Sequence, residues 1–171
     1  MAGRESLHAN GDGWAAGPGG ARMWGRYGAA GLFLVASSDR GPMVLMQHRA
    51  AWTNFGDTWG IPGGARDLNE TVEQAAVRET VEECAIDPEH IEVVGAEVTA
   101  GPFDAAAGLP GGWTYTTVIA RTKDGKMLST SANEESYELR WVLIEELEDL
   151  PLLAPFRQAL PRIRQLIEPL I

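Results

Sequence analysis

The chain has 171 residues and a mass of 18.5 kDa, with 44% apolar and 22% charged residues, which is the size and composition of one globular domain. Its 24 acidic and 14 basic residues leave a net charge of −10, which repels a polyanionic duplex and argues against polymeric nucleic acid as a partner. No apolar run approaches the ~20 residues that cross a bilayer, no apolar segment follows Arg4, and Cys84 is alone, so neither a membrane, a secretory signal nor a disulfide framework is expected and the cytoplasm is the default location.

Residues 1–25 hold seven of the 20 glycines and little apolar periodicity, and read as a loose arm before the folded domain. Trp14 and Trp24 interrupt that pattern. Indoles need cover, so the arm is expected to lie on the domain or on a second subunit, which is the ground for expecting a homodimer; packing is the expected role, with a lid over a ligand as the alternative.

Gly28 to Ser37 and Met43 to Arg49 are short apolar runs flanking the turn residues Asp39 to Pro42, and predict a hairpin. A glycine-rich loop from Ala50 to Ala65 follows, with a short strand near Trp59. Glu70 to Cys84 lacks Gly and Pro and predicts a helix, with Asn69 as its N-cap. At ~100° per residue, Ala76, Val77, Thr80 and Cys84 fall on one side and Glu79, Glu82 and Glu83 gather beside them. Asp87-Pro88 ends the helix.

Ile91 to Ala100, Trp113 to Arg121 and Glu138 to Ile144 read as further strands, with a Gly/Ala/Pro loop from Gly101 to Gly112 and a turn around Lys123 to Lys126. The tail predicts an amphipathic helix through Phe156, Leu160, Ile163 and Ile167, with Pro155 in its first turn and a kink or break at Pro161.

Chemistry concentrates in Gly64-Ala-Arg-Asp-Leu-Asn-Glu70 and Arg78-Glu79-Thr80-Val81-Glu82-Glu83. Like charges one helical turn apart repel by a few tenths of a kcal/mol per pair, so a structural helix would alternate signs here. Hard divalent cations take oxygen ligands, and carboxylates on one helix face can share them with water and phosphates.

The spacing of Gly64, Glu70, Arg78, Glu79, Glu82 and Glu83 resembles the Nudix box, Gly-x5-Glu-x7-Arg-Glu-U-x-Glu-Glu-x-Gly-U, where U is a bulky aliphatic residue. Thr80 stands at the first U position and Ala85 at the second glycine, where a left-handed backbone would cost Ala roughly 1 to 2 kcal/mol. The resemblance implies a Nudix hydrolase domain over residues 26–171, an α/β/α sandwich with a mixed sheet. It also implies hydrolysis of a nucleoside diphosphate derivative with Mg²⁺, or Mn²⁺ in its place. Glu79, Glu82 and Glu83 would then bind metal, with Glu79 a candidate to orient or deprotonate water, and Gly63 would offer its carbonyl. Arg78 would brace the acids, while Gly64 and Glu70 would be structural. A further acidic ligand or base is expected ahead of Arg140-Trp141-Val142, where Glu135 matches best and Glu134 and Glu138 compete.

For the substrate itself, Trp113 and Tyr115 share a strand face and could either stack on a base or pack in the core. Arg49 and Arg66, like Arg26 and Arg140, could reach phosphates. His8, His48 and His90 have no ligand spacing, and Cys84 reads as a buried, inert thiol. Pro102, 16 residues beyond Ile86, resembles the proline of ADP-ribose pyrophosphatases. The Gly111-Gly112-Trp113-Thr114-Tyr115 stretch and the compact size favour instead a nucleoside triphosphate, oxidised deoxyguanosine triphosphate included. A nucleotide-sugar pyrophosphatase and a non-catalytic nucleotide-binding module are the alternatives.

Overall fold

A computed structural model describes residues 10–53 and 55–171. His8, Asn54 and the first nine residues of the expected arm lie outside these.

Strands β3 (Ala29–Ser38) and β4 (Gly41–Arg49) form the expected hairpin, with Val35 opposite Val44. Along β3 the side chains alternate between two cores. Leu32 and Leu34 join Leu45, Val118 and Ala120 on one face, while Phe33 and Val35 join Val44, Met46 and Ile119 on the other. Both faces are apolar because both are covered, which is what a central strand requires.

The hairpin lies inside a mixed sheet. β3 runs parallel to β8 (Tyr115–Thr122), which pairs antiparallel with β7 (Ile91–Ala100), and β4 pairs with β9 (Ser136–Leu143) and β5 (Trp59–Gly60). The short β6 (Gly63–Ala65) pairs with the start of β3 and leads into the first helix. Among the described residues this makes a seven-stranded sheet.

Helix α1 (Val72–Cys84) buries Ala75, Ala76 and Cys84 against one face, and α2 (Ala154–Ile167) buries Phe156, Leu160, Ile163 and Ile167 against the other. The result is an α/β/α sandwich, in which each buried large apolar side chain contributes roughly 1.5 to 3 kcal/mol. Among the described residues, no helix is long and apolar enough to cross a membrane.

Four local expectations change. The helix begins two residues later than expected and is capped by Thr71, not Asn69: the Thr71 hydroxyl accepts from Gln74 N and Gln74 Oε1 accepts from Thr71 N. This reciprocal box satisfies two of the orphan amides of the first turn, which a lone Asn69 would not. Helix α2 runs on through Pro161 because its buried stripe holds it together, and Pro161 lies on the exposed side, where water can take up the freed carbonyl.

Within the stretch read as a loose arm, β1 (Trp14–Ala16) and β2 (Arg22–Trp24) form a hairpin, with Trp14 opposite Trp24. Ala15 and Ala16 are buried, and Ala16 N donates to Pro110 O. The turn between the strands places Gly19 and Gly20 at positive φ, so the glycines that suggested looseness make the reversal.

Ala85 closes α1 at φ 56° and ψ 41°, the left-handed position that the motif gives to glycine. Ala85→Gly is therefore expected to stabilise the fold by about 1 kcal/mol after the extra unfolded-state entropy of glycine is counted. A melting temperature no higher than wild type would show that the strain has been relieved elsewhere.

Candidate active site

Strand β6, the loop over residues 66–71 and α1 together set the acidic side chains. Arg78 is the hub. Its Nε donates to Glu70 Oε2 at 3.0 Å, its Nη2 to Glu70 Oε1 and to Ala65 O at 3.1 Å, and its Nη1 to Glu79 Oε1 at 3.0 Å. Glu70 Oε1 also accepts from Asp67 N at 2.9 Å, so one carboxylate ties the loop to the helix.

The hydrogen bond from Arg78 holds the Glu70 carboxyl below the usual carboxylate range, and the same bond raises the Arg78 guanidinium further. Glu70 thus adds stability that is present above its unfolded-state pKa and lost as pH falls through its lower folded-state pKa. Glu70→Gln is expected to cost about 1 to 3 kcal/mol at neutral pH, the scale of hydrogen bonds to charged groups. The variant should also lose less stability than wild type on acidification, and parallel acid transitions in the two proteins would refute that role.

Glu79 packs its carboxyl against Gly64, where a Cβ would meet Glu79 Cδ at 2.6 Å. Glycine at this position is thus a matter of space. Burial pushes the Glu79 carboxyl up to about 7, against the opposing pull of Arg78 and with help from Glu82 and Glu135. Glu83 is 3% exposed and accepts from Gly63 N at 3.1 Å. Burial, then hydrogen bonding with Glu135, and then the charge of Glu79 push its carboxyl well up.

Glu82 stands at the rim with its side chain 56% exposed, 3.6 Å from Arg78 Nη1. Burial raises the thiol of the neighbouring Cys84 to about 12, which keeps it protonated.

The loop before β9 brings Glu135 to the acids. Asn133 N donates to Glu83 O at 3.4 Å, Asn133 Oδ1 accepts from Glu135 N at 3.0 Å, and Ala50 N donates to Glu135 O at 2.9 Å. Of the competing acids, Glu135 lines the cavity, whereas Glu138 pairs with Arg140 on the surface at 3.0 Å.

Among the described residues, no three Asp, Glu, His or Cys side chains are already drawn together as a ligand set. Arg78 holds Glu79 aside, and bare carboxylates repel. What the cluster does carry is three carboxyl groups, Glu83 buried and Glu79 and Glu135 half-buried, with a guanidinium on one side of them. Such an arrangement is costly unless a cation or a proton neutralises it, so the donor set fits a hard divalent metal.

The acids border a cavity of about 900 Å³. Arg49, Tyr115 and Trp113 line it as well, but Arg66 does not: it donates to the carbonyls of Tyr27, Asp67, Leu68 and Glu70 and braces the loop. Trp113 is 4% exposed, its Nε1 donates to Trp24 O at 3.2 Å, and its ring stacks on Phe103. Little of it remains to offer a base. Tyr115 is partly buried, and its hydroxyl abuts Gly31, where any side chain would collide with it. Burial raises the phenol of Tyr115, with Arg49 and Glu83 both within electrostatic reach.

Sequence reasoning singled out Trp14 and Trp24 but favoured packing over a ligand role for them, and it missed Trp52 and Phe55 of the glycine-rich loop; all four line the cavity. Their common signal is an aromatic residue in a segment otherwise rich in turn formers, where no core position calls for one. Phe55 and Asp57 hold positive φ, a further mark of a constrained loop.

A family model described as NUDIX domain matches residues 25–163. The chain is 49% identical over 164 residues to a Mycobacterium tuberculosis (strain CDC 1551 / Oshkosh) protein named "Putative 8-oxo-dGTP diphosphatase 3", covering 94% of this chain and 72% of that one. The crystal structure of a Nudix hydrolase from M. smegmatis, RenU, superposes with a TM-score of 0.83 at 44% identity, over 94% of this chain and 98% of the other. A C. elegans Ap4A hydrolase shares the fold at a TM-score of 0.63 and 20% identity, over 82% of this chain and 98% of that one.

Proposed function

This chain belongs to the Nudix hydrolase family, and from that premise we propose that its preferred substrate is a nucleoside triphosphate, in the first place an oxidised deoxyguanosine triphosphate, with Mg²⁺ as the working metal. The chain is a Nudix pyrophosphohydrolase, and Nudix hydrolases as a class depend on a divalent cation. The observation that carries the substrate reading is the acid-floored cavity of about 900 Å³ with tryptophans in its lining. A relative at 49% identity whose printed name is that of an 8-oxo-dGTP diphosphatase supports it.

Glu79, Glu82, Glu83 and Glu135, with the Gly63 carbonyl, would hold the metal. The bound cation supplies charge stabilisation on the pyrophosphate and a more acidic water. Arg78 would brace Glu79 through the contact at 3.0 Å until a cation draws the carboxylate across, and Glu70 holds Arg78 in place. Glu79 would also orient the attacking water or accept its proton, as a carboxylate beside the metal can. Arg49 and Tyr115 line the same cavity, where Arg49 would meet the phosphates.

Release of phosphate or pyrophosphate from 8-oxo-dGTP, dGTP, ADP-ribose and a nucleotide sugar, with Mg²⁺ and with chelator, tests the proposal. The highest kcat/KM is expected for 8-oxo-dGTP, with Mn²⁺ replacing Mg²⁺ and chelator abolishing turnover. ADP-ribose in first place would favour the second reading, which rests on Pro102, and no turnover of any compound would favour a non-catalytic binding module. A cytoplasmic location belongs to the same proposal, because nucleotide pools are there and the one thiol is buried. So does a homodimer, although Trp14 and Trp24 pack edge to face on each other within the chain, which removes part of its ground. Light scattering at tens of micromolar reads the oligomeric state.

A further inference from the structure

The hairpin of β1 and β2 precedes the stretch that matches the family model, yet it forms one wall of the cavity. Trp14, Met23 and Trp24 line that cavity together with Glu79, Glu82, Glu83 and Glu135. The hairpin is fixed to the domain at several points. Gly11 N donates to Asp67 Oδ1 at 2.7 Å, Arg26 N to Gly11 O at 2.8 Å, Ala16 N to Pro110 O at 2.9 Å and Trp113 Nε1 to Trp24 O at 3.2 Å.

Trp24 is held and still open. Its ring meets Trp14 edge to face at 5.0 Å and 78°, and Trp14 is backed in turn by the Arg22 guanidinium at 4.2 Å from the ring centroid. Even so Trp24 remains 40% exposed. With its backbone fixed through the carbonyl and its ring set against a second indole, Trp24 lines the cavity with apolar surface left uncovered and forgoes burial energy that a ligand can supply. Because the ring is already ordered, a planar ligand stacking on it loses little further conformational freedom in the protein. Trp113 is the opposite case: at 4% exposure its energy is already spent on the core.

We propose that Trp24, braced by Trp14, is the platform on which the substrate's nucleobase stacks, so that the N-terminal hairpin supplies base binding while α1 supplies the phosphate chemistry. The inference rests on the nucleotide reading of the site. The ligand class is a nucleotide with a large planar base, since stacking strength grows with ring area and tolerates different edges.

Calorimetric titration of the full chain with α,β-methylene guanosine triphosphate, and with inorganic tripolyphosphate as a base-free control, tests this in Mg²⁺. Trp24→Ala is expected to weaken nucleotide binding about tenfold or more. Tripolyphosphate affinity should stay within about twofold and the melting temperature within a few degrees, and Trp24→Phe should recover most of the loss. Unchanged nucleotide affinity in a folded Trp24→Ala protein overturns the proposal, and so does parallel weakening of both ligands, which would make the hairpin a brace for the loop at Asp67. A wild-type protein that binds the analogue yet hydrolyses no nucleoside triphosphate would overturn the substrate reading and leave the platform standing.

Discussion

Glu83→Gln is expected to lower turnover by at least ~100-fold, equivalent to about 2.7 kcal/mol of transition-state stabilisation, while leaving the fold intact or slightly more stable. The two halves of this expectation have one cause. Glu83 is 3% exposed, faces Glu135 and Glu79, and is pushed toward its protonated form by burial and those neighbours. A raised carboxyl pKa in the folded state means that ionisation opposes folding: the penalty sets in as pH rises above the unfolded-state value and reaches its full size above the folded-state one. Glutamine removes that charge, and its amide oxygen can still accept from Gly63 N. Without metal, at neutral pH, the variant should therefore melt at or above the wild-type temperature. Saturating Mg²⁺ should raise the melting temperature of wild type more than that of the variant, because ligand bound to the native state stabilises it by mass action. Unchanged turnover in Glu83→Gln would end the metal reading of the acidic stripe.

How much of this was legible in the sequence depended on whether a signal was local or tertiary. The acidic face of α1 follows from helical spacing alone, and the buried stripe of α2 likewise, since periodicity needs only the chain itself. The capping box Thr71-Val-Glu-Gln74 is equally local, but a good single cap residue at Asn69 competes with it in the sequence. Arg66 is different. Whether a loop arginine meets phosphate or carbonyl groups depends on where the loop closes, and here four carbonyls converge on it. The hairpin over residues 14–24 was hidden because its strands are three residues each, too short for alternation to register. Its stability comes from Trp113 and Pro110, roughly a hundred positions away.

Trp113→Ala is expected to cost about 3 to 5 kcal/mol of stability, the range for truncating a buried aromatic, and to lower the melting temperature by roughly 10 °C. A ring that stacks on a substrate must keep a face open. Trp113 is 4% exposed, packs on Phe103 at 6.1 Å and near Tyr115 at 6.4 Å, and joins Ala15, Met23 and Ala29 in a small core of its own. Its Nε1 to Trp24 O bond is also the stitch between strand β8's approach and the hairpin. Truncation thus opens a cavity and releases a carbonyl at once. Loss of the stitch should loosen the wall that carries Trp24, so KM rises as well, and the effects of Trp113→Ala and Trp24→Ala on KM should fall short of additive in the double variant. Direct stacking by Trp113 predicts the reverse balance: a melting temperature within about 2 °C of wild type, a KM raised tenfold or more, and additive losses with Trp24→Ala. Melting and kinetics on the two single variants and their combination separate the two roles, and a thermally unperturbed Trp113→Ala would overturn the core assignment.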